Sequence, residues 1–229
     1  MKGAIHQPNF FPWLGFFNKI SRCDVFILLD NAQGNRQTYS NRVQMLVNNK
    51  AHWITAPVQK IKTEETATFV FQKNSWREKR IKKTLSINYS KCPHFKEYKD
   101  YVFDLVNFPE DDIAKFNFNA IKGICSLLKI DEKKIVLSSN LNVNTASTER
   151  LVQLLIETNC DTYIQGGGGS EDYQDDVLFE THGIAIEKQN FRHPIYPQEN
   201  NKGDFIKGLS ILDALFNCGA DKTKAFVEG

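Results

Sequence analysis

Residues 2–30 read KGAIHQPNFFPWLGFFNKISRCDVFILLD. The stretch opens with a short apolar strand, "KGAIHQP", ending at Pro8. Pro12 then stands where the first turn of a helix tolerates a missing N–H, and the helical pattern "PWLGFFNKISRC" follows. "DVFILLD" is an unbroken apolar run bounded by acids, the pattern of a central parallel strand covered on both faces. Strand, helix and strand within thirty residues make a βαβ unit. Its crossover is expected to be right-handed, and ligands are expected at the carboxyl ends of its strands, here "HQPN" and "LDNAQ".

The rest of the chain continues the alternation. "NAQGNRQTYSNR" reads as loop, "HWITAPV" (52–58) as a third strand, and "TATFVF" (66–71) as a hairpin or edge strand. Residues 76–90 and 112–129 carry apolar side chains at helical spacing. "KKIVLSSN" is a fourth strand and "TASTERLVQLLIETNC" a helix. "DTYIQGGGGS" is a strand running into glycines, "DDVLFETHG" a short helix with Gly183 at its C′ position, and "IAIEKQNF" a strand. "LSILDALFNCG" is a last helix stopped by Gly219. Residues 1–229 therefore read as a single α/β domain with a mainly parallel, doubly wound sheet and a C-terminal helical and loop elaboration. "AIHQP", "DVFILLD", "HWITAPV", "KIVLSS" and "TYIQG" are its expected strands.

Composition narrows the class. The 229 residues include 17 Phe, with 41% hydrophobic and 12% aromatic residues, enough for a sizeable core. Formal net charge is +2, which argues against a dedicated DNA binder. Cys23, Cys92, Cys125, Cys160 and Cys218 show no paired spacing, and the five histidines show no ligand spacing, so no metal site is expected. "MKGAIHQPNF" turns polar too early for a signal peptide, and no apolar run is long enough to cross a bilayer. A cytoplasmic protein without membrane insertion is the expectation.

Four features gather at the expected strand ends. His6, Gln7 and Asn9 follow the first strand. Adjacent His and Gln point to opposite faces, and backbone N–H groups at a helix start suit phosphate or carboxylate. Asp30 ends the second strand, with Asn41 and the forked donor Arg42 beyond it. Ser147 and Arg150 lie in "STER" at a helix start, and Gly166, Gly167, Gly168 and Gly169 let backbone approach a ligand closely. His193, Tyr196 and Gln198 stand between prolines in "FRHPIYPQ" as a specificity loop or as a cover over the core, the two readings weighing evenly. Trp13 and the neighbouring phenylalanines divide between core and cleft wall. The basic helix around residues 77–83 is a solvated face or an attractor of phosphorylated substrate.

"HQPNFFPWLGFFNKISRCDVFILLDNAQ", "NRVQM…HWITAPV", "STERLVQLL…CDTYIQGGGGSEDY" and "HPIYPQ…FIKGLSILDALFNCG" together resemble the WbqC-like family, in order and over essentially the whole chain. The resemblance points at Gln7, Pro8, Trp13, Leu14, Gly15, Asp30, Asn41, Arg42, Pro57, Tyr173, Tyr196, Pro197, Gln198 and Asp213. The quadruple glycine is richer than the usual family pattern. Members occur with genes for bacterial surface polysaccharides. That context implies O-antigen or surface-polysaccharide biosynthesis with a nucleotide-linked amino sugar as substrate; it does not name the bond made, and acyl or aminoacyl transfer to the sugar amine is the reaction expected here. In that scheme His6 is the general base and Asp30 orients it. Arg42 and the glycine loop hold the diphosphate, and an activated acyl or aminoacyl donor is the co-substrate. The strand–His–helix opening is also similar to nucleotidyltransferases with an HxGH motif, although the second histidine is missing. The alternatives are therefore nucleotidyl transfer, or a protein that binds a nucleotide-sugar, another phosphorylated small molecule or a protein partner without turnover.

Overall fold

The computed structural model describes residues 1–31, 38–62, 67–71, 77–167 and 174–229. Its centre is a five-stranded sheet in the order β7-β2-β1-β8-β9, built from β1 (Lys2–His6), β2 (Val25–Leu28), β7 (Ile135–Leu137), β8 (Thr162–Gln165) and β9 (Ala185–Lys188). Every pairing in it is parallel. Successive residues face opposite sides. Ala4, Phe26, Leu28 and Ile164 join one apolar cluster with Phe16 and Phe17 of α1 (Leu14–Arg22) and with Leu212 and Phe216 of α7 (Ile211–Glu228). Ile5, Ile27 and Tyr163 join the other, with Val152, Leu154 and Leu155 of α5 (Ser147–Glu157) and Phe179 of α6 (Asp176–Thr181). The sheet is thus doubly wound. Gly3 lets β1 lie close to α5: a Cβ there would come within 2.5 Å of Leu155 and 2.9 Å of the Cys160 sulfur.

The expected strand "HWITAPV" does not belong to this sheet. Its residues lie mostly in β4 (Lys50–Thr55), which pairs antiparallel with β3 (Arg42–Val47) in a separate hairpin, and β9 takes the fifth place instead. The cause is the turn between them. Asn48 and Asn49 have φ of 51° and 60°, and two consecutive positive-φ residues match the right-handed twist of a hairpin. β5 (Val58–Lys62) and β6 (Ala67–Phe71) form a second hairpin, as "TATFVF" suggested. The 76–90 pattern becomes a π-helical turn at 77–82 followed by α2 (Lys83–Tyr89), and α3 (Phe95–Val106) follows it. α4 (Ile113–Leu127) starts where Asp112 accepts from the N–H groups of Ala114 and Lys115.

Gly219 interrupts the last helix, as expected, and a second helical segment follows it. Its φ of 79° is non-helical and kinks α7 there, with helix continuing to Glu228. The first half of α7 carries Asp213, which is fully buried. Its Oδ2 accepts from the Tyr196 hydroxyl at 2.8 Å and from the Gln198 amide at 2.9 Å. Burial pushes the carboxyl pKa up. An acid whose folded-state pKa is raised loses stabilisation as pH climbs from its unfolded value through the folded one. Asp213→Leu strands both donors and is expected to cost about 2–6 kcal/mol, counting roughly 1–3 kcal/mol per unsatisfied buried group. Asp213→Asn keeps the acceptor and is expected to cost far less, with its stability relative to the native protein improving as pH rises above the ordinary carboxylate range. Denaturant unfolding at several pH values measures both.

Candidate functional site at the strand switch

Following the chain, the sheet grows from β1 through β2 to β7 on one side, then crosses to β8 and β9 on the other. The switch lies between β1 and β8, and ligands of open parallel sheets bind beyond the carboxyl ends of the strands at such a point. The pairing opens there. β1 stays paired with β2 through His6, whereas β1 and β8 pair at Lys2 and Gly3 alone. His6 and Gln165 end the two parted strands.

His6 is half-buried, with Phe16 edge-on at 4.9 Å. Its Nδ1 meets the Gln7 carbonyl at 2.9 Å, which leaves Nε2 without a partner among the described residues. Burial first, and the Lys19 charge second, depress its pKa to about 3, so the imidazole is neutral. Lys19 was not among the residues expected here. It lies on α1 and is 5% exposed. Its amine comes within 2.6 Å of where a Cβ on Gly166 would stand, with Gln189 Oε1 at 3.5 Å from the same point. Among the described residues it has no hydrogen bond or ion pair. Burial lowers its pKa to about 8. Gly166 is what makes room for it.

Gln189 belongs to the frame: its amide donates to Gly15 O at 2.6 Å and to Asn18 Oδ1 at 2.8 Å. The Gln165 side chain, buried at the strand end, has no partner among the described residues. Asn9 is also buried and unpartnered among them, and Gln7 stands between it and His6. Phe11 holds a φ of 43°, strained for a bulky residue, and its carbonyl accepts from Ser210 at 2.9 Å, fixing the turn into α1. No side chain caps the N-terminus of α1 or of α5. The first turn of α1 is buried and Trp13 before it bridges Ser210, whereas α5 opens at the exposed Ser147. Among the described residues the geometry thus supplies one unpaired cation, a neutral imidazole with a free nitrogen, and uncommitted amides.

The other expected residues have different work. Asp30 does not orient His6. Its carboxylate accepts from Ser138 Oγ at 3.1 Å, from Ser139 N at 2.9 Å and from Ser139 Oγ at 2.6 Å, tying β2 to β7. Arg150 donates to Asn31 beside it, and Ser147 is an exposed residue with φ of 54° that opens α5. Arg42 sits on the β3–β4 hairpin with its guanidinium 4.3 Å over the Trp53 ring. No described contact joins it to His6, Lys19 or Gly166. Asn41 secures the hairpin base through Ala56 O at 3.0 Å. Tyr196 and Gln198 serve Asp213. His193 is held at both ring nitrogens, by Pro194 O at 2.8 Å and by Gly208 N–H at 3.1 Å, so the proline-flanked loop is a cover over the core. Trp13 packs into that cover against Phe191 at 5.5 Å, and Phe10, Phe11, Phe16 and Phe17 are core. Gly167 follows Gly166 at the edge, while Gly168, Gly169 and Tyr173 lie outside the described residues. Among the described residues no group of three or more His, Cys, Asp or Glu could hold a metal, and no helix is long and apolar enough to cross a membrane. All five cysteines are free and buried.

The chain is similar to Uncharacterized protein Rv1507c of Mycobacterium tuberculosis (strain ATCC 25618 / H37Rv), 29% identical over 229 residues that cover 96% of this chain and 95% of that protein. No solved structure matches it. Residues 7–225, which begin directly after His6 at the end of β1 and include β2, β7, β8, β9 and both hairpins, match the WbqC-like protein family, and the chain belongs to that family.

Proposed function

We propose that this protein is a transferase that places an acyl or aminoacyl group on the amine of a nucleotide-linked amino sugar, in the cytoplasm, during bacterial surface-polysaccharide synthesis. The substrate class comes from the family resemblance. The observation that carries the site is Lys19, a buried amine with no anion beside it among the described residues. Burying a lysine unpaired costs stability, and a bound diphosphate is the partner that offsets the cost. The Gly166 backbone lies beside the same charge.

In this scheme the sugar amine attacks the acyl carbon, the bond to the donor's leaving group breaks, and the amine proton passes to His6 Nε2. The Gln7 carbonyl, rather than Asp30, holds the ring. A diphosphate beside Lys19 cancels one of the two causes that depress the imidazole, so ligand binding strengthens the base. Nucleotidyl transfer is the second reading, supported by the strand–His–helix opening that leads into the switch. A binding protein without turnover is the third.

Lys19→Met should weaken a nucleotide-sugar at least tenfold while raising thermal stability. The shift from 10.5 to about 8 corresponds to roughly 3 kcal/mol between protonation states, an upper bound on the gain. The sign follows from linkage: a lysine with a depressed folded-state pKa makes the native protein gain stability from pH about 8 to about 10.5, and Lys19→Met removes that slope. Calorimetry across pH, with thermal shift on nucleotide-sugars, reads both effects; unchanged affinity would sink the assignment.

His6→Gln should lower turnover by about 10²–10⁴-fold, with mass detection of N-acylated product, while leaving binding nearly intact. Its depressed pKa makes the native fold lose stability as pH falls from 6.5 toward about 3, and the variant should show a shallower acid limb. Binding without product from any acyl donor or nucleoside triphosphate favours the third reading.

A further inference from the structure

We infer that the groove between the β3–β4 hairpin and α2 is a second ligand site, separate from the strand switch, that takes a phosphorylated small molecule bearing a flat ring, of the nucleoside diphosphate class. The groove has a volume of about 740 Å³, within the range of small-molecule clefts. Lys79 and Arg80 from the π-helical turn and Lys83 from α2 line one side, and His52 and Trp53 from β4 line the other. Among the described residues no acidic side chain lines it. Among the described residues, Lys79, Arg80 and Lys83 have no ion pair or hydrogen bond. Three positive charges without a partner among the described residues line one groove, which makes the cation density local.

Charge alone would describe a solvated helix face. The aromatic wall makes the difference. Trp53 keeps 37% of its surface exposed. Its ring is fixed from outside the groove lining, by the Arg42 guanidinium at 4.3 Å and by Tyr39 edge-on at 5.5 Å. Such a held ring loses little freedom on binding. A fixed indole beside three cations fits a planar ring stacked next to phosphate, with the Asn88 amide in reach of further polar groups. The concave shape favours a small molecule over a membrane surface, although Ile87 at the rim is 66% exposed. The hairpin is anchored to the β1–α1 turn, because Asn117 donates to both Pro8 O and Ser40 O. A transferase with two phosphate-bearing substrates would so have both sites on one frame.

Isothermal titration of the full chain with ADP, inorganic pyrophosphate and adenosine tests the site. ADP should bind. Lys79→Ala with Lys83→Ala should weaken ADP and pyrophosphate at least tenfold and leave adenosine unchanged. Trp53→Ala should weaken ADP and adenosine and spare pyrophosphate. Lys19→Met should leave ADP bound, which separates this site from the switch. The lysines are exposed, so that variant should keep the native melting temperature and remains informative if Trp53→Ala fails to fold. The inference is overturned if ADP does not bind, if its binding ignores the groove substitutions, or if Lys19→Met abolishes it. It is also overturned if the lysines govern retention on phosphatidylglycerol vesicles while ADP has no effect.

Discussion

β1 is hydrogen-bonded on both sides, to β2 along its length and to β8 over Lys2 and Gly3 alone, and the rest of the structure follows from that unequal pairing. Where β8 parts from β1 the sheet opens, and the gap is lined by the residue that ends each strand. α1, which leaves β1 and covers one face, brings Lys19 into the gap on a helix whose residues from Leu14 to Ile20 are all buried. Lys19 is only 5% exposed there, with its amine beside Gly166. Gly166 has no side chain to push it aside. The fold therefore holds a positive charge, at some cost to stability, at the place where this topology binds ligands. Sites that spend stability in this way are usually kept for function.

The opening "AIHQPNFFPWLGFF" serves both core and site. Phe10, Phe11, Phe16 and Phe17 are core, and burying them holds the turn that carries Gln7 and Asn9. Phe16 also lies edge-on to His6, so the same packing excludes water from one side of the imidazole and depresses its pKa. Core and site are one piece of physics here.

The βαβ opening, β8 with its first glycines, and β9 were legible because continuous apolar runs bounded by turn residues leave few alternatives. "HWITAPV" misled because a β-rich run does not name its partner. The signal was nearby, in the "NN" of residues 48–49, whose positive φ values make a hairpin the natural reading. α3 went unread although Phe95, Tyr98, Val102 and Val106 repeat at helical spacing. Lys19 was legible in principle, as a cation three residues after Phe16 and four before Cys23 on an apolar face. Asp30, Arg42, Tyr196 and Gln198 are polar residues in the right neighbourhoods, but their partners Ser139, Trp53 and Asp213 come from distant parts of the chain. Local sequence does not carry those pairings.

The central claim is that the Lys19 amine waits unpaired for an anion. Labelling lysine side chains with ¹³C at Cε and following Lys19 by NMR through a pH titration tests it directly, with Lys19→Met to assign the signal. The account predicts a midpoint near 8 in the free protein, moving upward when a nucleotide-sugar is added. A midpoint above 10 in the free protein, or one that no phosphorylated ligand moves, would contradict it.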